Sequence, residues 1–274
     1  MMDRPLYLGI MGGPKVGKTH FAGSLFESAY VDAQRVLYYD NHGSTDPFPF
    51  HQWTTQEPWG VKHIDPSNPG ALYKDILDLR RTKWSKNQYP YDAIVVDDWS
   101  EFAQADIEDR LEDEDNSKMI RHWGDHGDVM RSAARLLHPR ATKAHHIAIF
   151  QASQLPDPLE KRPKIVEGGR VRFTEDTRET KLRPFLQGGF AAWFPYKLDA
   201  VFYQEMEVKR GIYKFQLQLA PTDKVAVLTR WLHRWHDDPR MSKYMENATF
   251  DKILEMIQSN VLDGQELQEE EEKN

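Results

Sequence analysis

The chain has 274 residues, no cysteine and a formal net charge of -7, from 36 basic against 43 acidic residues. That length buries one large core or two small ones, and the missing cysteine excludes disulfides, thiolate metal sites and cysteine nucleophiles. The acidic balance excludes a surface that coats nucleic acid indiscriminately, so any nucleic-acid contact must be a local patch.

Met1 to Pro5 leads directly into the first apolar segment, with no basic flank followed by a long apolar region, and no later run is apolar enough to span a membrane. A soluble, cytoplasmic chain without a membrane partner is expected. Leu6 to Met11 reads as a buried strand. It runs into Gly12-Gly13-Pro14-Lys15-Val16-Gly17-Lys18-Thr19, a complete G-x-x-x-x-G-K-[ST] loop. Small residues let backbone N–H groups curl around nucleotide phosphates, while the lysine neutralises charge and the hydroxyl ligates magnesium. Lys18 and Thr19 fill those roles, and His20 extends the nucleotide-contacting stretch. Residues Lys18 to Ala29 place Phe21, Leu25 and Phe26 at helical spacing, so a helix N-terminus faces the anion.

Arg35 to Asp40 reads as a second strand ending in a carboxylate, and Asn41 to Pro69, which has no period, as a long ordered loop. The spacing of Leu72, Ile76, Leu77 and Leu79 predicts a helix over Pro69 to Trp84. Tyr91 to Asp98 is a short β-branched strand closing on two aspartates. Strand, helix and strand in succession imply a parallel sheet. Helices are expected over Phe102 to Leu111 and Met119 to Leu137, the second stopped by Pro139, with an acidic turn from Glu112 to Ser117 between them. His146 to Gln151 is the next buried strand. Leu155 to Gly189 turns polar and charged, as an exposed loop or β-hairpin inserted between core strands. Leu198 to Lys209 and Tyr213 to Ala220 alternate as paired strands, and Phe250 to Leu262 is an amphipathic helix. Residues 1–262 are therefore expected to form one α/β domain with a basic insertion at 155–189, and 263–274 an acidic tail that buries too little apolar area to fold.

Ala93-Ile94-Val95-Val96-Asp97 has the form of a Walker B strand, four apolar residues and a carboxylate emerging beside the phosphate loop. Asp97 is the candidate magnesium-side carboxylate, with capping of the following helix as its alternative role, one that Asp98 or Ser100 fills equally well. Asp98 is a candidate for polarising the attacking water. Gln151 and Gln154 stand at and beyond the end of the fourth strand, where an amide can bond a γ-phosphate oxygen and the lytic water. Gln151 is the sensor candidate. His145-His146 reads as the start of a strand, since the 11 histidines show no recurring ligand spacing. No Asn/Thr-Lys-x-Asp guanine-reading motif is present, which favours ATP as the nucleotide, with Mg2+.

The order of phosphate loop, strand-end Asp40, Walker B pair Asp97-Asp98 and polar sensor strand resembles compact phage-encoded RecA-like ATPases, also described as AAA-domain proteins. These include the ATP-dependent single-strand annealing recombinases of phages. Arg183 to Gly189 leading into Tyr196 to Phe202 is similar to a loop and an Asp-x-Val strand of that family. The resemblance covers roughly Leu6 to Ala220. It implies a RecA-like P-loop NTPase core, ATP hydrolysis, a homo-oligomer, DNA recombination or replication as the setting, and a single-strand-binding or replication protein as partner. One departure bears on catalytic rate: where RecA-type cores carry a glutamate after the second strand, this chain reads Asp40-Asn41-His42-Gly43. Asp40, Asp98 or Glu101 would have to replace it. A switch or structural module with little turnover remains open, as does a nucleotide or small-molecule kinase.

Between Lys161 and Arg183 the local charge is +4 on a chain negative overall. The resemblance places such a loop toward the DNA path, so Arg170, Arg172, Phe173 and Arg178 are candidates for neutralising phosphates and stacking a base of single-stranded DNA. A solvated hairpin of mixed charge is the alternative. A second basic-aromatic cluster, Arg230 to His236, reads as core or subunit packing, with Arg230 or Arg234 as candidate arginine fingers in trans.

Overall fold

The computed structural model describes residues 4–41, 60–63, 70–82, 91–112, 119–157, 164–167, 170–173, 178–209, 211–229 and 243–259. Strand β1 (Tyr7–Gly12) is buried along its whole length, as a continuous apolar run covered on both faces must be. Helix α1 (Lys18–Gly23) is shorter than its apolar spacing predicts: a 3-10 turn, Ser24–Glu27, carries Leu25 and Phe26 into the core instead. Strand β2 (Val36–Asp40) follows. Within the stretch expected as a long loop, β3 (Gly60–His63) forms a parallel edge strand against β2, because the edge of a twisted sheet accepts a short segment without a strong apolar pattern. The other residues of that stretch, from 42 onward, lie outside the described residues.

Helix α2 (Gly70–Thr82) buries Leu72, Ile76 and Leu79, and β4 (Ala93–Asp97) is fully buried. Helix α3 (Trp99–Leu111) starts three residues before the expected Phe102, capped by Asp98, and packs with α2 against α4 (Met119–Leu137). Pro139 does stop α4, yet it also opens the one-turn helix α5 (Pro139–Thr142) from the first helical position, where its missing N–H costs nothing.

Strand β5 (His145–Pro156) runs five residues beyond Gln151. Its extension pairs with β8 (Thr180–Pro184), so the insertion begins as strand, and Arg183 and Pro184 are strand residues too. Between them β6 (Lys164–Glu167) and β7 (Arg170–Phe173) form an antiparallel hairpin, the second of the two expected forms. After α6 (Gly188–Ala191) come β9 (Ala200–Lys209), β10 (Ile212–Gln218), β11 (Leu228–Thr229) and β12 (Tyr244–Glu246). A last helix, 250–259, buries Phe250, Ile253, Leu254 and Ile257. The cluster at 230–236 and the acidic tail lie outside the described residues, as does 113–118 of the acidic turn.

The main sheet runs β12-β10-β9-β1-β5-β4-β2-β3. From β9 to β3 every neighbour is parallel, while β10 and β12 continue it antiparallel. The fold is thus α/β with a mostly parallel sheet flanked by helices, as expected. Gly12 at the end of β1, Asp40 at the end of β2, Asp97 at the end of β4 and Gln151 on β5 emerge at one edge of this sheet.

The opposite edge holds two neutral histidines. His145 accepts a hydrogen bond from the Leu6 N–H at its Nδ1, 3.1 Å. His146 is buried and stacked on Tyr7, ring centroids 4.4 Å apart, with neither ring nitrogen bonded among the described residues. Burial lowers the pKa of His145 to about 4 and of His146 to about 3, from the ordinary 6.5. The unfolded chain therefore binds protons that the native chain refuses. Stability carried by the neutral rings is complete above about pH 6.5 and is lost as pH falls through 4 and 3. Going from pH 7 to pH 5 should cost about 2 kcal/mol per histidine. His146→Phe, which keeps the stack, should remove about half of that acid sensitivity. Urea midpoints at the two pH values measure it, and an unchanged difference between them would refute the assignment.

Candidate nucleotide site

The phosphate loop joins β1 to α1 through backbone that only bare glycine tolerates at two points. Gly17 sits at φ 91, and a Cβ there would stand 2.7 Å from the Phe215 ring. A Cβ on Gly12 would stand 2.4 Å from the Gln204 carbonyl oxygen. Strand β9 thus lies against the loop, and the Gln204 amide donates to the Gly17 carbonyl at 3.1 Å. Val16 packs against Gly12 from inside the loop. Lys18 Nζ donates to the carbonyls of Gly12 (3.1 Å) and Gly13 (2.7 Å). Burial lowers the Lys18 pKa, and the carboxylates of Asp98 and Asp97 oppose the shift.

The two aspartates have separate duties. Asp97 Oδ2 accepts from the Thr19 hydroxyl at 2.7 Å and from the Tyr38 hydroxyl at 2.8 Å. Burial, then the neighbouring Asp97, raises the Tyr38 pKa, so that phenol stays a donor. Asp98 caps α3 by accepting the Glu101 N–H at 2.7 Å. The alternative capping role weighed for Asp97 therefore belongs to Asp98. Asn41 clamps the same corner: its Oδ1 accepts the Asp98 N–H at 2.9 Å and its Nδ2 donates to the Asp98 carbonyl at 3.3 Å. The Asp97-Asp98 peptide bond is cis.

Gln151 stands beside Gly12 in the β1–β5 register, its N–H held by Ser100 Oγ at 3.0 Å and its side chain exposed. A cavity of about 580 Å³ collects these groups: Pro14, Lys15, Gly17, Lys18, Thr19 and His20 from the loop, then Asp97, Asp98, Gln151 and Phe215. Its volume lies within the range of small-molecule sites. Its lining combines the carboxylates of Asp97 and Asp98 and the Gln151 amide with the Phe215 and His20 rings, 5.9 Å apart.

The donor set suits magnesium. Thr19 and Asp97 offer hard oxygen ligands, and their 2.7 Å separation is close to the ~2.9 Å between adjacent ligands of an octahedral ion with bonds of about 2.05 Å. The bare glycine cradle and Lys18 suit a polyphosphate.

The basic candidates stand elsewhere. Arg170, Arg172 and Phe173 are on β7. Arg178 lies past that hairpin, donating to the Asp157 carbonyl at 3.1 Å beside Arg183, which pairs with the Asp157 carboxylate at 3.0 Å. Four site residues escaped the sequence reading: Tyr38, Asn41, Gln204 and Phe215. Each sits in an ordinary strand pattern or at its end, and only the fold brings it to the loop or to the two aspartates.

No protein-family model and no curated protein matches the chain. Among solved structures, a KaiC-like protein of Pyrococcus horikoshii aligns with a TM-score of 0.38 and 12% identity over 78% of each chain. The flagellar accessory protein FlaH of Methanocaldococcus jannaschii aligns with a TM-score of 0.41 and 11% identity, over 89% of this chain and 85% of its own. Likenesses this distant carry no functional argument. The loop geometry and the strand order define the site.

Asp97→Asn keeps the side chain's shape and removes the charge facing Thr19, so magnesium-dependent turnover should fall on the order of 100-fold with nucleotide binding retained. Asp98→Asn should leave the fold intact, since asparagine caps helices as well as aspartate. Steady-state rates of the two variants decide their roles, and a larger loss from Asp98→Asn would exchange them.

Proposed function

We propose that this chain is a magnesium-dependent ATPase with a RecA-like core spanning residues 1–262. One observation carries the reading: the Lys18-Thr19 loop, Asp97 and Gln151, far apart in sequence, line a single cavity. Lys18 neutralises the terminal phosphates, Thr19 and Asp97 hold the magnesium, and Gln151 orients the lytic water. The metal supplies Lewis acidity at the phosphoryl group when bound. Tyr38 keeps Asp97 aimed, and Asn41 keeps Asp98 in place.

A second reading, a switch with little turnover, draws on the carboxylates. Asp40 is wholly buried and Asp98 caps a helix, so the base that the second strand lacks has no ready substitute in either. ATP turnover measured with and without single-stranded DNA separates the readings: stimulation supports a DNA-dependent ATPase, and binding without turnover supports the switch. Lys18→Ala should reduce turnover to background in a folded protein, because the lysine serves charge and not the core. Retained hydrolysis in that variant would remove the phosphate loop from the mechanism.

The reading extends to partners. The charge of the 155–189 insertion supports single-stranded DNA at the β6–β7 hairpin through Arg170, Arg172 and Phe173, with Arg178 following it in the chain. A homo-oligomer working in phage recombination or replication, with a single-strand-binding or replication protein beside it, follows from the family resemblance.

The Phe215 and His20 rings in the cavity lining offer the base a stacking face. Phe215→Ala should weaken ATP binding by about 5-fold or more, the cost of a lost stacking face, and leave inorganic tripolyphosphate binding unchanged. Calorimetry with both ligands checks this. Equal losses for the two would make Phe215 a support of the loop only.

A further inference from the structure

The N-terminal ends of β1, β5 and β9 lie at the edge opposite the phosphate loop, ~20 Å away along the six residues of β1. A second cavity opens there, of about 220 Å³, lined by Arg4, His138, Arg140, Lys143 and Asp199 among others. Its one carboxylate is turned inward. Asp199 is 2% exposed; it pairs with Arg4 and accepts the Tyr7 N–H at 2.9 Å. Arg4 remains 49% exposed despite that pair. Arg140 and Lys143 are exposed, and among the described residues neither side chain has an ion-pair partner.

Local backbone sets where these two residues leave the chain. Lys143 closes α5 in the left-handed region at φ 58, and the Arg140 N–H donates to His138 Nδ1 at 3.1 Å. The basic surface continues past His138, whose N–H donates to the Arg135 carbonyl at 3.3 Å. Arg135 and Lys197 lie over the Trp193 ring at 5.5 and 5.6 Å, and the adjacent Tyr196 is 41% exposed. Five exposed cations, Arg4, Arg135, Arg140, Lys143 and Lys197, thus stand on the segments at this edge of a chain of net charge -7, two of them over Trp193, while Tyr196, three residues before Asp199, also borders a neighbouring cavity with Leu155 and Arg178.

We propose that this edge of the sheet is a binding site for single-stranded nucleic acid, separate from both the nucleotide cavity and the β6–β7 hairpin. A backbone phosphate enters the pocket between Arg4, Arg140 and Lys143, and Tyr196 offers a stacking face to a neighbouring base. Guanidinium forks match phosphate oxygens, and an aromatic face receives any base, so recognition is of backbone and stack and not of sequence. An acidic protein would satisfy the cations but leave the exposed Tyr196 ring unused.

Fluorescence anisotropy of labelled oligo-dT over a salt series, with the full chain, tests the site. Arg140→Gln with Lys143→Gln should weaken binding roughly tenfold and reduce the salt slope by about 1.4, two phosphate contacts at ~0.7 each. The charge-keeping pair Arg140→Lys and Lys143→Arg should keep the wild-type salt slope. Basal ATP turnover should be unchanged in both, since neither residue approaches the nucleotide cavity. Equal affinity and slope in the neutralised protein would overturn the proposal. So would binding lost only in Arg170→Ala with Arg172→Ala, displacement of the oligonucleotide equally well by polyglutamate, or no binding by wild type. Failure of ATP turnover in the wild type speaks against the nucleotide reading alone.

Discussion

Strand β5 is hydrogen-bonded in parallel to β1 on one side and to β4 on the other, and the geometry of the candidate site depends on that placement. Parallel neighbours end at the same edge. The loop after β1, the carboxylate ending β4 and the amide of Gln151 on β5 are therefore delivered together, with Gln151 directly beside Gly12. Crossover connections make this arrangement possible, because each helix returns the chain to the starting edge of the next strand. A site assembled this way has its carboxylate and its amide on strands and only its glycine cradle on a loop.

The electrostatics of that edge follow from burial. Asp97 and Asp98 are each 4% exposed, and a carboxylate removed from water has to be compensated nearby. For Asp97 the compensation comes from Thr19 and Tyr38, for Asp98 from the α3 N-terminus, with Lys18 acting on both. The two residues are adjacent in sequence yet differ in role because one ends a strand and the other begins a helix. The same balance explains the depressed Lys18 pKa: desolvation opposes the charge, and the carboxylates restore part of it.

Strand β9 and the antiparallel β10 beside it complete the cavity: β9 brings the Gln204 amide to the Gly17 carbonyl, and β10 sets the Phe215 ring against Gly17, so an aromatic ring joins the polar groups of the lining. At the far edge, the segments entering β1, β5 and β9 carry cations around a single inward carboxylate. One sheet therefore presents different chemistry at its two ends.

Much of this was legible without coordinates. The phosphate loop is a local motif whose physics is contained in eight consecutive residues, and apolar runs ending in aspartate or glutamine identify β4 and β5 as strands. Residues 119–137 are helical as their pattern predicts. The sequence also carried the charge reversal of the insertion. It could not assign the cap to Asp98 over Asp97, because both are acceptors and only the start of α3 distinguishes them. Nor could it point to Tyr38, Asn41, Gln204 or Phe215, since strand alternation says which residues share a face and not what that face meets. The edge strand β3 and the extension of β5 were equally hidden, because their backbone pairing is supplied by distant segments. Local sequence determined the elements and the phosphate cradle; the order of strands in the sheet decided which side chains share the cavity.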